Sequence, residues 1–132
     1  MVVSNKKNTD IKKKAILIVE DDAFLVKAYQ LKFAKEGVDV WIAADGNEAV
    51  EFLKKEPPNI VLLDLMLPGV SGFDVLNAIR NDVKWKKTPV IILTNLGQTD
   101  DKKRCEELGI DDYIVKANTK INDVVDRVRK YL

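Results

Sequence analysis

Histidine is absent from the 132 residues of this chain. With it go the commonest general base at neutral pH, the serine–histidine triads and most zinc sites. One cysteine, Cys105, leaves no partner for an internal disulfide. Any metal therefore has to be held by oxygen ligands, which suit Mg²⁺, Mn²⁺ or Ca²⁺. No apolar run approaches the ~18–20 residues of a membrane span, and the N-terminus lacks the apolar stretch of a secretion signal. These absences place the chain, by default, in the cytoplasm and off the membrane.

What is present is the composition of a soluble globular domain, 46% hydrophobic and 33% charged, in a length that suits one domain with its own core. The net charge of +1 hides an asymmetry. Residues 1–14 hold five lysines against Asp10, and the remainder holds 17 basic against 20 acidic residues. Residues 1–13 are expected to form a disordered basic tail. Contact of that tail with nucleic acid or lipid stays open, but the domain behind it is not basic.

Strand-like and helix-like segments alternate after the tail. Four apolar runs each end in a chemically capable group: Ala15–Val19 before Glu20, Asp21 and Asp22; 60–63 before Asp64; 90–93 before Thr94; and 113–115 before Lys116. Unbroken short runs of Val, Ile and Leu suit strands buried on both faces, as in a parallel sheet. Helices are expected over 23–36 with Gly37 as its stop, 46–55 before Pro57 and Pro58, 72–81 capped by Ser71, and 99–108. Ile121, Val124, Val125, Val128 and Leu132 mark one stripe of a final helix. Five β–α units imply an α/β fold with a parallel sheet covered on both sides.

In such a sheet the C-terminal strand ends share one edge, where ligand sites form. Adjacent strands lie about 4.8 Å apart, so carboxylates after the first and third strands can meet. Two carboxylates about 4 Å apart repel by roughly 4 kcal/mol at an effective dielectric near 20. A hard divalent cation resolves that conflict. Asp22 has a plainer reading as the cap of the first helix. Lys116 and Thr94, each taken singly, read as an ordinary surface lysine and a β-branched strand residue.

Together, Val19-Glu-Asp21, Asp64-Leu-Met-Leu-Pro-Gly69, Leu93-Thr94 and Tyr113-Ile-Val-Lys116 resemble the receiver domain of bacterial two-component response regulators, over about residues 14–132. The resemblance implies a flavodoxin-like (βα)5 doubly wound sheet in strand order 2-1-3-4-5. It implies Asp64 as the phosphoacceptor for a histidine kinase or histidine phosphotransfer protein. Mg²⁺, with Mn²⁺ as the alternative ion, would be held by Asp21, Asp64 and the Met66 backbone carbonyl, with Glu20 acting through water. Thr94, Asn95 and Lys116 would meet the phosphoryl group, and Thr94 with Tyr113 would form a switch acting on residues 98–132. Implied partners are that phosphodonor, a downstream protein target and a second copy on phosphorylation. The chain ends in its last helix, so the reading is a stand-alone unit without a DNA-binding domain.

The sequence departs from the family pattern in three ways. Ala117 stands where a cis proline is common, Asn95 where a smaller residue is usual, and apolar Met66 and Leu96 are expected at the site's entrance. Neither of the last pair can position a water, which implies slow self-dephosphorylation. Two other readings are weighed: a degenerate receiver that binds partners without phosphorylation, and an aspartyl-phosphate hydrolase, disfavoured because Met66 stands where its second acid belongs. Cys105 is expected to be a partly exposed thiol, Trp41 to pack beside the second strand, and Trp85 to cap the connector before the fourth.

Overall fold

The computed structural model describes residues 13–132. The expected tail therefore lies outside the described residues except for Lys13, whose ammonium sits 3.1 Å from Asp39. Among the described residues five strands and five helices alternate: β1 (Ala15–Val19), α1 (Ala23–Ala34), β2 (Asp39–Ala43), α2 (Gly46–Phe52), β3 (Ile60–Leu63), α3 (Gly72–Asn81), β4 (Val90–Thr94), α4 (Thr99–Leu108), β5 (Asp112–Val115) and α5 (Ile121–Arg129). All strand pairs are parallel, in the order β2-β1-β3-β4-β5. The doubly wound α/β architecture expected from the alternation is the one observed.

Period-two alternation sorts each central strand between two cores. Ile16, Ile18, Ile60, Leu62, Ile91, Leu93 and Ile114 face Tyr29 and Phe33 of α1 and Val124, Val125 and Val128 of α5. Leu17, Val19, Val61, Leu63, Val90 and Ile92 face α2, α3 and α4 through Ala49, Phe73, Val75, Leu76, Ile79 and Cys105. Strands covered on both sides have no polar face to offer, which is why their sequences run apolar without interruption.

Helix starts follow their caps: Asp22, Asp45 and Ser71 accept hydrogen bonds from the first-turn amides of α1, α2 and α3. Three helices stop sooner than expected. At the end of α2, the amides of Leu53, Lys54 and Lys55 bond to carbonyls three residues back, a tightened last turn ahead of Pro57 and Pro58. Tyr131 and Leu132 do the same after α5, and α1 gives way to a turn at Lys35, two residues before Gly37. Gly37 itself sits at φ +73°, a conformation that suits glycine and ends the helix. No peptide bond among the described residues is cis; a short 3-10 turn, Lys116–Asn118, leads from β5 toward α5.

Trp85 is fully buried and its indole N–H donates to the Lys55 carbonyl at 2.8 Å, pinning the connector before β4 to the end of α2. Trp41 stacks on Phe52, with ring centroids 5.9 Å apart. Cys105 corrects the sequence expectation: its thiol is fully buried. The charged residues on either side of it point outward, while α4 turns Cys105 and Leu108 toward the core that includes Val90 and Ile92.

Burial pushes the Cys105 thiol up from 9.0 to about 11, with the charge of Asp101 adding to the effect. At a given mildly alkaline pH the thiolate fraction falls about a hundredfold. A disulfide reagent is expected to leave Cys105 unmodified in the native protein and to modify it fully in denaturant. Fast labelling of the native state would contradict the packing.

Candidate functional site

The register of β1 and β3 creates the site. Val19 pairs with Leu63, so the next residues, Glu20 and Asp64, leave the sheet side by side. Asp64 is anchored by its amide to the Val19 carbonyl at 3.0 Å. Of the four buried polar or charged residues among those described, three stand at this rim: Glu20, Asp64 and Thr94, at 3%, 4% and 0% exposure. Buried charge demands a partner. That partner is Lys116, just beyond β5, whose ammonium lies 2.6 Å from Glu20 Oε1 and 2.7 Å from Asp64 Oδ2.

Both carboxylates are further fixed by the backbone. Glu20 Oε2 accepts from the Asp22 amide at 3.1 Å, and Asp64 Oδ1 accepts from the Met66 amide at 3.0 Å. Burial holds the Glu20 carboxyl above its ordinary range, against the lowering pull of Lys116 and of the Asp22 amide. Burial also works to lower the Lys116 ammonium, but the hydrogen bonds to Asp64 and Glu20 outweigh it and the net shift is upward. The amine therefore stays charged where the sequence already expected a cation to be needed.

Asp21 is exposed, yet it completes a cluster: one carboxylate oxygen from each of Glu20, Asp21 and Asp64 lies within 4.8 Å of the others. Opposite ligands of octahedral Mg²⁺ lie about 4 Å apart. The donor set fits such an ion with a shift of roughly 1 Å or less. Asp22 is not part of it; its Oδ1 caps α1 through the amides of Phe24 and Leu25.

Thr94 and Tyr113 meet at one residue, Leu96, through its amide and its carbonyl. Thr94 Oγ1 accepts weakly from the Leu96 amide at 3.4 Å, and the Tyr113 hydroxyl donates to the Leu96 carbonyl at 2.6 Å. The Tyr113 ring is half-buried against the α2–α3–α4 core. Asn95 is exposed and lies outside this hydrogen-bonded group. Met66 stands at the rim with 54% of its surface exposed. Leu96, expected beside it, instead packs half-buried against the core.

Tyr29 was not among the sequence candidates. It is 2% exposed within the α1–α5 core, and burial, followed by the nearby charge of Glu20, pushes its hydroxyl up to about 12. The only signal in the sequence was its spacing to Phe33, which reads as core packing and nothing more.

Residues 16–129 match the family model for the response regulator receiver domain. The chain belongs to that family. Family membership makes it a receiver of two-component signalling, a class that does not in general turn over a separate substrate. The receiver is 38% identical over 126 residues to a probable transcriptional regulator, ycf27, of Porphyridium aerugineum, covering 91% of this chain and 51% of that protein. The chain thus spans about half the length of that curated relative. Its fold matches the receiver domain of the sensor histidine kinase PA1611 from Pseudomonas aeruginosa, which holds a magnesium ion in its active-site cleft. That match has a TM-score of 0.79 at 25% identity, over 91% of this chain and 98% of the other. It also matches the Mn²⁺-bound form of response regulator Rcp1, with a TM-score of 0.77 at 30% identity, over 89% and 90% of the two chains. Among the described residues no helix is long and apolar enough to cross a membrane.

Two substitutions at the rim are expected to act in opposite directions in metal-free buffer. Lys116→Met leaves Glu20 and Asp64 buried without their cation and costs about 3 kcal/mol at neutral pH. Asp64→Asn removes one of three clustered negative charges while keeping a hydrogen-bond acceptor, and raises stability by about 1 kcal/mol. The pH sign follows from Glu20. A carboxyl held above its ordinary 4.5 favours the fold most below that pH, and the benefit is lost as pH rises through the raised value. Without Lys116 the carboxyl rises further, so the cost of Lys116→Met grows from mildly acidic to neutral pH. Thermal melts of both variants across that range check the pair; a destabilised Asp64→Asn contradicts the crowding.

Proposed function

We propose that this receiver accepts a phosphoryl group on Asp64 from the phosphohistidine of a histidine kinase or histidine phosphotransfer protein. The carrying observation is that Asp64 projects from β3 into a rim where the Glu20 and Asp21 carboxylates and the Lys116 ammonium converge. In the step, a carboxylate oxygen of Asp64 attacks phosphorus in line and the phosphorus–nitrogen bond breaks. The bonding electron pair leaves with the imidazole of the donor. Such transfer is governed by positioning and by stabilising charge on the three equatorial oxygens.

Lys116 supplies a compact positive charge to one of those oxygens, and the Thr94 hydroxyl donates to another. Asn95, next to Thr94, is assigned to the same phosphoryl-binding group by the family resemblance. Glu20, Asp21, Asp64 and the Met66 backbone carbonyl would hold Mg²⁺ or Mn²⁺. When bound, the ion supplies charge neutralisation at the phosphoryl oxygens.

Phosphorylation replaces the single negative charge of the Asp64 carboxylate with a phosphoryl group carrying about two. Thr94 has to turn its hydroxyl toward that group, giving up the Leu96 amide, and Leu96 is the residue that Tyr113 holds. The switch therefore runs from Thr94 through the amide and carbonyl of Leu96 to Tyr113 and the surface of α4, β5 and α5. That surface is assigned to the downstream protein target or to a second copy of the receiver. The proposal keeps residues 14–132 as the receiver domain, acting in the cytoplasm.

Incubation with Mg²⁺ and acetyl phosphate, followed by intact mass measurement, is expected to add about 80 Da to the wild type and nothing to Asp64→Asn. An unmodified wild type would favour the degenerate, phosphorylation-independent module instead. Exposed, apolar Met66 at the entrance leaves no hydrogen bond to position an attacking water, so self-dephosphorylation is slow. Met66→Asn is expected to shorten the phosphoryl lifetime about tenfold, followed by decay of the added mass. An unchanged lifetime removes Met66 from that role.

A further inference from the structure

Gly72 opens α3 directly behind the phosphoacceptor loop. Its amide donates to the Leu65 carbonyl at 3.1 Å, and its α-carbon lies against backbone, not against side chains. A Cβ built on Gly72 would fall closer than 3.0 Å to the Asp64 carbonyl oxygen and to Leu65 Cα, and 2.9 Å from the Asp64 carbonyl carbon. Real Cβ atoms essentially never come that close. The atoms in the way are main chain and cannot rotate aside, so any side chain at position 72 forces α3 and the segment just after β3 apart.

The segment just after β3 that would have to yield carries the site. Asp64 is the residue whose carboxylate meets Lys116 at 2.7 Å and joins the three-acid cluster. Leu65 links it to Met66, whose amide holds Asp64 Oδ1. Gly46 opens α2 in the same way but presses elsewhere. A Cβ there would meet Val70, 2.7 Å from both its carbonyl carbon and its Cβ, six residues along the loop from Asp64. The fold thus contains two equally crowded glycines, one against the phosphoacceptor and one away from it.

We propose that Gly72 is a positioning residue for Asp64: by letting α3 touch the main chain of residues 64 and 65, it sets where the Asp64 carboxylate stands on the rim. The proposal rests on the reading of Asp64 as phosphoacceptor. A misplacement of about 1 Å is enough to cost a reaction of this kind up to a hundredfold.

The test compares Gly72→Ala with Gly46→Ala in the full chain. Thermal melts give the stability of each, calorimetric titration gives Mg²⁺ affinity, and intact mass gives the labelling rate by acetyl phosphate at saturating Mg²⁺. Both variants are expected to lose stability. At temperatures where both are folded, Gly72→Ala is expected to bind Mg²⁺ at least about tenfold more weakly and to label at least about tenfold more slowly. Gly46→Ala is expected to stay within about threefold of wild type in both. Equal losses in the two variants, or wild-type affinity and rate in Gly72→Ala, would overturn the proposal. If Gly72→Ala folds only with a stabilising osmolyte, the same measurements are made with it present. Failure to fold even there also overturns it, since the glycine is then required by the fold and not by the site. A wild type that binds Mg²⁺ yet gains no mass sinks the phosphoacceptor reading alone, and the Mg²⁺ arm still decides the placement of Asp64.

Discussion

Everything at the functional end of this molecule depends on one buried ion triad, Glu20–Lys116–Asp64. Two carboxylates that are almost entirely removed from water share a single ammonium at 2.6 and 2.7 Å. Charges buried this far are stable only while paired and hydrogen-bonded, and each member comes from a different strand end: β1, β3 and β5. Keeping the triad therefore requires the central strands to stay in register. It also leaves negative charge in excess once Asp21 is added, which is what a divalent cation or an incoming phosphate–metal pair can exploit.

The rest of the fold serves that rim by making its base rigid. Parallel strands with apolar residues on both faces are clamped between α1 and α5 on one side and α2, α3 and α4 on the other. Trp85 and Arg80 lock the opposite edge, Arg80 by donating to the carbonyls of Gly109, Lys86 and Thr88. In the loop after β4, the Leu96 amide makes a long hydrogen bond to Thr94 and the Leu96 carbonyl accepts a short one from Tyr113.

Much of this was legible in the linear chain because it depends on local rules. Unbroken Val, Ile and Leu runs announce strands buried on both faces, and Asp22, Asp45 and Ser71 announce helix starts. The polar residue after each run announces the rim. What was not legible depends on angles and on packing. The outward lean of Lys102, Lys103 and Arg104 hides that Cys105 points inward, since helical phase decides burial and the flanking residues do not. Leu96 and Met66 occupy matching positions after their strands, yet one packs inward and the other projects, because only Leu96 has a core beside it to join.

The amino-acid order alone settled the alternation of strands and helices, the layer architecture and the identity of the polar residues at the strand ends. These follow from periodicity and capping, which act over a few neighbouring residues. Only the tertiary structure decided that Lys116 stands between Glu20 and Asp64, that Tyr113 is tied to Leu96, and that Gly72 presses on the main chain of Asp64. Those contacts join residues brought together by the pairing of distant strands, and their energies depend on distances that no local pattern in the chain encodes.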